Sequence, residues 1–63
     1  MEGANAMKSY NVYVYSTRDG LDVYMVKAND PVDARNVAVQ RLIDETGDGL
    51  NVWEIIEVKE IEL

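Results

Sequence analysis

The stretch YNVYVYS, Tyr10 to Ser16, constrains the fold more than any other part of the chain. Alternation along a strand places Tyr10, Val12 and Val14 on one face and Asn11, Tyr13 and Tyr15 on the other. Both faces are thus rich in apolar or aromatic groups. TRDGL follows, and Asp19-Gly20 supplies the positive-φ position of a tight hairpin, expected as a type I turn closed by a glycine bulge. The returning strand, LDVYMVKA from Leu21 to Ala28, repeats the pattern. Tyr24, Val26 and Ala28 share one side, and Leu21, Val23 and Met25 the other. Such a hairpin needs something apolar against each of its faces.

The next segment supplies one such cover. In ANDPVDA, Asn29 or Asp30 can cap free N–H groups, Pro31 suits the first helical turn, and Asp33 complements the helix dipole. A helix is predicted from Pro31 through Thr46, ending at Gly47 as a left-handed C-cap. Ala34, Val37, Ala38 and Leu42 recur at helical spacing and form its sheet-facing stripe. Val32, Val39 and Ile43 widen the apolar arc beyond what one sheet face needs. GDGLN reads as a loop, and VWEIIEVKEIEL as a final strand.

The order β-β-α-β predicts an α+β fold: a three-stranded antiparallel sheet, order 2-1-3, with one helix packed on one face. The connection through the helix to the third strand is expected to be right-handed. Residues 1–7 read as a disordered N-terminal tail and 8–63 as a single small domain. Small Ala28 suits the crowded approach to the helix, so Tyr24, Val26 and Ala28 are assigned inward with Tyr10, Val12 and Val14. The third strand then adds Ile56 and Val58. The opposite set is Tyr13, Tyr15, Val23, Met25, Trp53 and Ile55, with Ile61 near the end. A bulge in a strand would swap some of these between sides.

What covers the second face follows from what the chain lacks. A domain of 63 residues hides only about 60% of the surface its unfolded form exposes, so it needs added support. With no cysteine and no histidine, disulfides and thiolate metal sites are excluded, and the commonest zinc ligand is missing. Self-association remains. Monomers rarely expose large apolar patches, and aromatic residues and methionine are enriched at interface cores. A homodimer through Tyr13, Tyr15, Val23, Met25, Trp53 and Ile55 is the expected answer.

Catalytic chemistry has little to work with. Without histidine or cysteine, Ser9, Ser16, Thr17 and Thr46 have no evident activating partner. Asp44, Glu45 and Asp48 cluster in DETGDG but lack the alternating oxygen ligands and distal glutamate of a calcium loop. One helix on three strands leaves little volume for a pocket. No catalytic residue, cofactor, metal ligand or small-molecule substrate is therefore expected, and the chain reads as not an enzyme. MEGANAMKS lacks the apolar core of a signal peptide, and no run reaches the roughly 18 apolar residues of a membrane span. The absence of cysteine fits a reducing cytoplasm.

Charge narrows the partners. Twelve acidic residues against six basic ones give a net charge of −6, which repels nucleic acids and anionic membranes. Glu54, Glu57, Glu60 and Glu62 crowd the last strand, and a dimer would carry about −12. An acidic surface of this kind could occupy the basic cleft of a larger machine, as a phage-type inhibitor or nucleic-acid mimic does. The runner-up is single-stranded nucleic-acid binding, with Tyr13, Tyr15 and Trp53 as a stacking platform. Lys8, Arg18, Lys27, Arg35, Arg41 and Lys59 are dispersed rather than gathered beside those rings, which disfavours it. The expected function is non-catalytic protein binding that regulates or inhibits a larger assembly.

The order β-β-α-β, with VKANDPVDARNVA leading into the helix and IIEVKEI near the end, is similar in pattern to compact ribosomal modules of the archaeal LX type. Those modules are basic where this chain is acidic. The resemblance therefore implies the fold alone, and no functional residue is carried over from it.

Overall fold

The computed structural model describes residues 7–62. Strand β1 spans Lys8–Ser16, β2 Gly20–Ala28, helix α1 Pro31–Thr46 and β3 Glu54–Ile61, with a single 3-10 turn at Gly49–Asn51 before β3. β1 is central in an antiparallel sheet of order β2-β1-β3. α1 lies on one face, so the α+β architecture and strand order expected from the sequence are those observed. Of the tail expected at residues 1–7, only Met7 falls among the described residues, and it is exposed.

Local chemistry sets each boundary. Ser16 stands opposite Gly20, whose φ of 82° closes the hairpin. The Asp19 amide donates to Ser16 Oγ at 2.8 Å, which gives the buried serine hydroxyl a partner. Asp30 is the N-cap of α1: its carboxylate accepts from the Asp33 amide at 2.8 Å, while the Asp33 carboxylate accepts from the Asn29 amide at 3.1 Å. Each bond satisfies a donor that would otherwise lack a partner at the helix start. At the other end Gly47, at φ 80°, donates its N–H to the Ile43 carbonyl at 2.9 Å.

The core lies between α1 and the sheet. Tyr10, Val12, Val14, Val26 and Ala28 meet Ala34, Ala38 and Leu42 of the helix, with Tyr24, Val37 and Val58 packed around them. Small side chains at positions 34 and 38 let α1 approach closely, and Leu42 fills the space nearer its C-terminus. This half of the molecule follows the sequence reading.

β3 departs from it. Glu57 stands opposite Tyr13, but Ile55 stands opposite Val14, so the ladder slips by one residue and Ile56 is left over as a bulge. Upstream of the bulge, alternation inverts. Ile55, assigned to the open face from sequence, packs on the helix-side core, and Trp53 is buried to 5% exposure within that core. Ile56, expected inward, is 53% exposed. Trp53 and Ile55 thus leave the expected interface set, while Val58 and Ile61, downstream of the bulge, keep their assigned sides. The indole N–H of Trp53 finds no acceptor among the described residues, so apolar burial is what holds the ring.

The segment GDGLN, read as a loop, contains the 3-10 turn that steers Trp53 inward. Amides of Val52 and Trp53 donate to the Gly49 carbonyl at 3.3 and 3.0 Å. Gly49 is buried at φ 56°, and a Cβ there would sit 2.9 Å from Ile43 Cγ1. Ile43, on the part of the helical arc the sheet does not use, therefore covers this turn. Gly49→Ala is expected to cost about 2 kcal/mol or more, from the left-handed backbone and overpacking together. Chemical denaturation followed by Trp53 emission checks it; an unchanged midpoint would contradict the packing described.

Candidate functional site

Opposed residues in an antiparallel ladder share a face, so the pairings spell out the uncovered side of the sheet. It reads in four rows across β2, β1 and β3: Lys27–Ser9–Ile61, Met25–Asn11–Lys59, Val23–Tyr13–Glu57 and Leu21–Tyr15–Glu54. Leu21 and Met25 are each 67% exposed, and Val23 and Tyr15 are also exposed. Tyr13 is half-buried. Of the sequence-predicted contact residues, Tyr13, Tyr15, Val23 and Met25 are brought together here. Leu21 joins them, as its place in the β2 alternation implies.

The columns differ in character. β2 contributes an apolar strip that ends in Lys27, β1 contributes the tyrosines, and β3 contributes charge. The four charged residues of this face, Lys27, Lys59, Glu54 and Glu57, cancel. The acidic excess of the chain therefore lies elsewhere, notably at Asp22, Asp30, Asp44, Glu45 and Glu60, which are all exposed. A face without net charge adds no local repulsion where it meets another surface, including a copy of itself, and leaves only the longer-range repulsion of the two chains, which salt screens.

The predicted acidic group is divided by the same geometry. Glu54 and Glu57 lie on the uncovered face, whereas Glu60 stands opposite Tyr10 on the helix side, with its carboxylate 4.0 Å from Lys8 Nζ. Glu62 follows the end of β3. The four carboxylates do not form one surface.

The carboxylates of DETGDG are also separately engaged. Asp48 accepts from Arg18 Nη2 at 2.8 Å, tying the β1–β2 turn to the segment after α1. The hydrogen bond to Asp48, reinforced by one to Asp19, holds the Arg18 guanidinium above its ordinary pKa. Glu45 accepts from the Tyr24 hydroxyl at 3.1 Å. Burial, then this hydrogen bond, pushes the Tyr24 phenol above its ordinary pKa. Asp44 is exposed. These groups brace the helix end against the sheet rather than converge on a common point, and among the described residues no three metal-ligating side chains converge.

A shallow, open depression lies at one end of the sheet, lined by Met7, Lys8, Ser9, Lys27, Glu60, Ile61 and Glu62. Two lysines and two glutamates line it, and among the described residues no side chain hydrogen-bonds the Ser9 hydroxyl. No helix of the described residues is long and apolar enough to cross a membrane.

Fold and face together define a small α+β module with one sheet face covered by its own helix and one left uncovered. No family model, curated protein or solved structure matches the chain.

Proposed function

We propose that the protein is a non-catalytic protein-binding module that dimerises through the uncovered sheet face. The observation that carries this reading is the strip Leu21, Val23 and Met25 beside Tyr13 and Tyr15, apolar and exposed on a face whose charges cancel. Burying apolar surface is worth about 25 cal/mol per Å², and a module this small gains from every contact that its own core cannot supply. Aromatic side chains and methionine are the residue types that enrich interface cores.

With the sheet faces turned inward, each copy presents α1 and the acidic residues around it outward. We place the second role there: engagement of a basic surface on a larger cellular machine, regulating or inhibiting it. The negative field of the paired modules would steer such an encounter and make it salt-sensitive. Nucleic-acid binding on the uncovered face is less well supported, since Trp53 lies in the core and each tyrosine shares its row with a glutamate.

Dilution of isotopically labelled protein followed by amide NMR tests the self-association. Shifts are expected to concentrate on Tyr13, Tyr15, Val23 and Met25, leaving α1 unchanged. Concentration-dependent shifts confined to α1 would contradict the assignment of the face.

A further inference from the structure

The uncovered face carries more than an apolar strip, because its three columns are sorted by chemistry and its charges by position along the strands. Glu54 and Glu57 occupy β3 at the end where Tyr15 and Tyr13 lie, and Lys59 stands beyond them beside Asn11. This arrangement discriminates between the two ways a two-fold axis can bring the face onto a copy of itself. With the axis parallel to the strands, β2 lies over β3 of the second copy. Met25 then meets Lys59 and Val23 meets Glu57, which strips water from charges without pairing them. With the axis across the strands, β2 lies over β2 and β3 over β3, with direction reversed. The apolar strips then meet, Val23 against Met25, and Glu57 falls over Lys59 of the second copy, twice by symmetry. Aligned sheet packing rotates the two strand sets by about 30°, which shifts pairs this far from the centre by about 3 Å, within the reach of the long glutamate and lysine side chains.

We infer that the dimer is built on the second arrangement: two sheets face to face, strands antiparallel, with reciprocal Glu57–Lys59 contacts fixing the register. The inference rests on the self-association proposed above and deepens it. An isologous interface requires that the patch be complementary to itself after rotation. Here the β3 column satisfies that condition only when reversed, and it does so in the two central rows, where Glu57 and Lys59 exchange places. In the outer rows Glu54 falls over Ile61 and Lys27 over Leu21, at the rim where their charges can stay in water. The apolar strip supplies contact area, and the charged column selects the orientation.

Charge reversal tests the geometry. Glu57→Lys places like charges together and is expected to weaken the dimer about tenfold or more at low salt. Adding Lys59→Glu recreates the reciprocal pairs and is expected to restore affinity to within about threefold of the original protein. Adding Lys27→Glu to Glu57→Lys instead gives the same net charge on the face but leaves the new lysine opposite Lys59, so affinity stays low. Analytical ultracentrifugation of the four proteins reads the dissociation constants, and unchanged Trp53 emission confirms that each is folded. Equal rescue by Lys59→Glu and Lys27→Glu would overturn the orientation, since net charge alone would then suffice. A starting protein that remains monomeric would instead overturn the self-association itself.

Discussion

Trp53→Ala is expected to remove most of the fold's stability at 25 °C. Trp53 is almost fully buried among residues of α1 and the sheet, and emptying such a site costs about 3–5 kcal/mol. A domain of this length has about 3–9 kcal/mol to lose. Trp53→Phe keeps a ring in the space and is expected to cost far less, about 1–2 kcal/mol. Thermal melting of the two variants followed by circular dichroism decides the matter: a transition lowered by tens of degrees for Ala and by far less for Phe. If Trp53→Ala stayed folded with native stability, the indole would not be where the structure places it. Trp53 thus acts on folding, and the sequence reading of it as a contact residue would have confused dissociation with unfolding.

The uncovered face gives the opposite result. The pair Val23→Glu and Met25→Glu is expected to abolish the dimer while preserving the fold. Both side chains are exposed, Met25 at 67%, and surface changes away from special features usually stay within about 0.5 kcal/mol of neutral each. In the dimer the same changes set carboxylates against one another in a dry interface. Placing an unpaired charge there costs several kcal/mol, so the dissociation constant should rise at least about 100-fold. Size-exclusion retention and thermal melting on the same samples separate the two quantities. A dimer of unchanged affinity would show that the strip is not the contact.

These two results mark where the sequence was legible and where it was not. The hairpin was readable because Gly20 supplies the positive φ and the flanking strands alternate cleanly. The helix was readable because Asp30-Pro31 and Gly47 leave few other ways to begin and end it. Sheet order followed from connectivity. In β3 the signal failed at Ile55-Ile56. Two consecutive isoleucines allow either parity, and the choice depends on what lies on both sides. Val58 fixes one parity, whereas the 3-10 turn holds Trp53 in the other, and the bulge at Ile56 absorbs the difference. No glycine or proline marks that bulge in the sequence. The buried Gly49 beneath Ile43 was equally hidden, since a glycine in a polar loop reads the same whether it is crowded or free.

The candidate face was half legible for the same reason. Tyr13, Tyr15, Val23 and Met25 belong to the hairpin, where parity was secure. Trp53 and Ile55 lay upstream of the bulge and changed sides. The acidic run of the last strand divided for a simpler reason: Glu54, Glu57, Glu60 and Glu62 follow no single strand parity, and the bulge sets the first of them relative to the rest.

Molar mass by light scattering, from about 1 µM to 1 mM protein, tests self-association through the uncovered face most directly. A mass of twice 7.1 kDa is expected at the upper end, falling toward the monomer only on dilution or with the Val23 and Met25 substitutions. A mass of one chain at every concentration would contradict it, and would leave the tyrosines and the β2 strip as a surface for a different molecule.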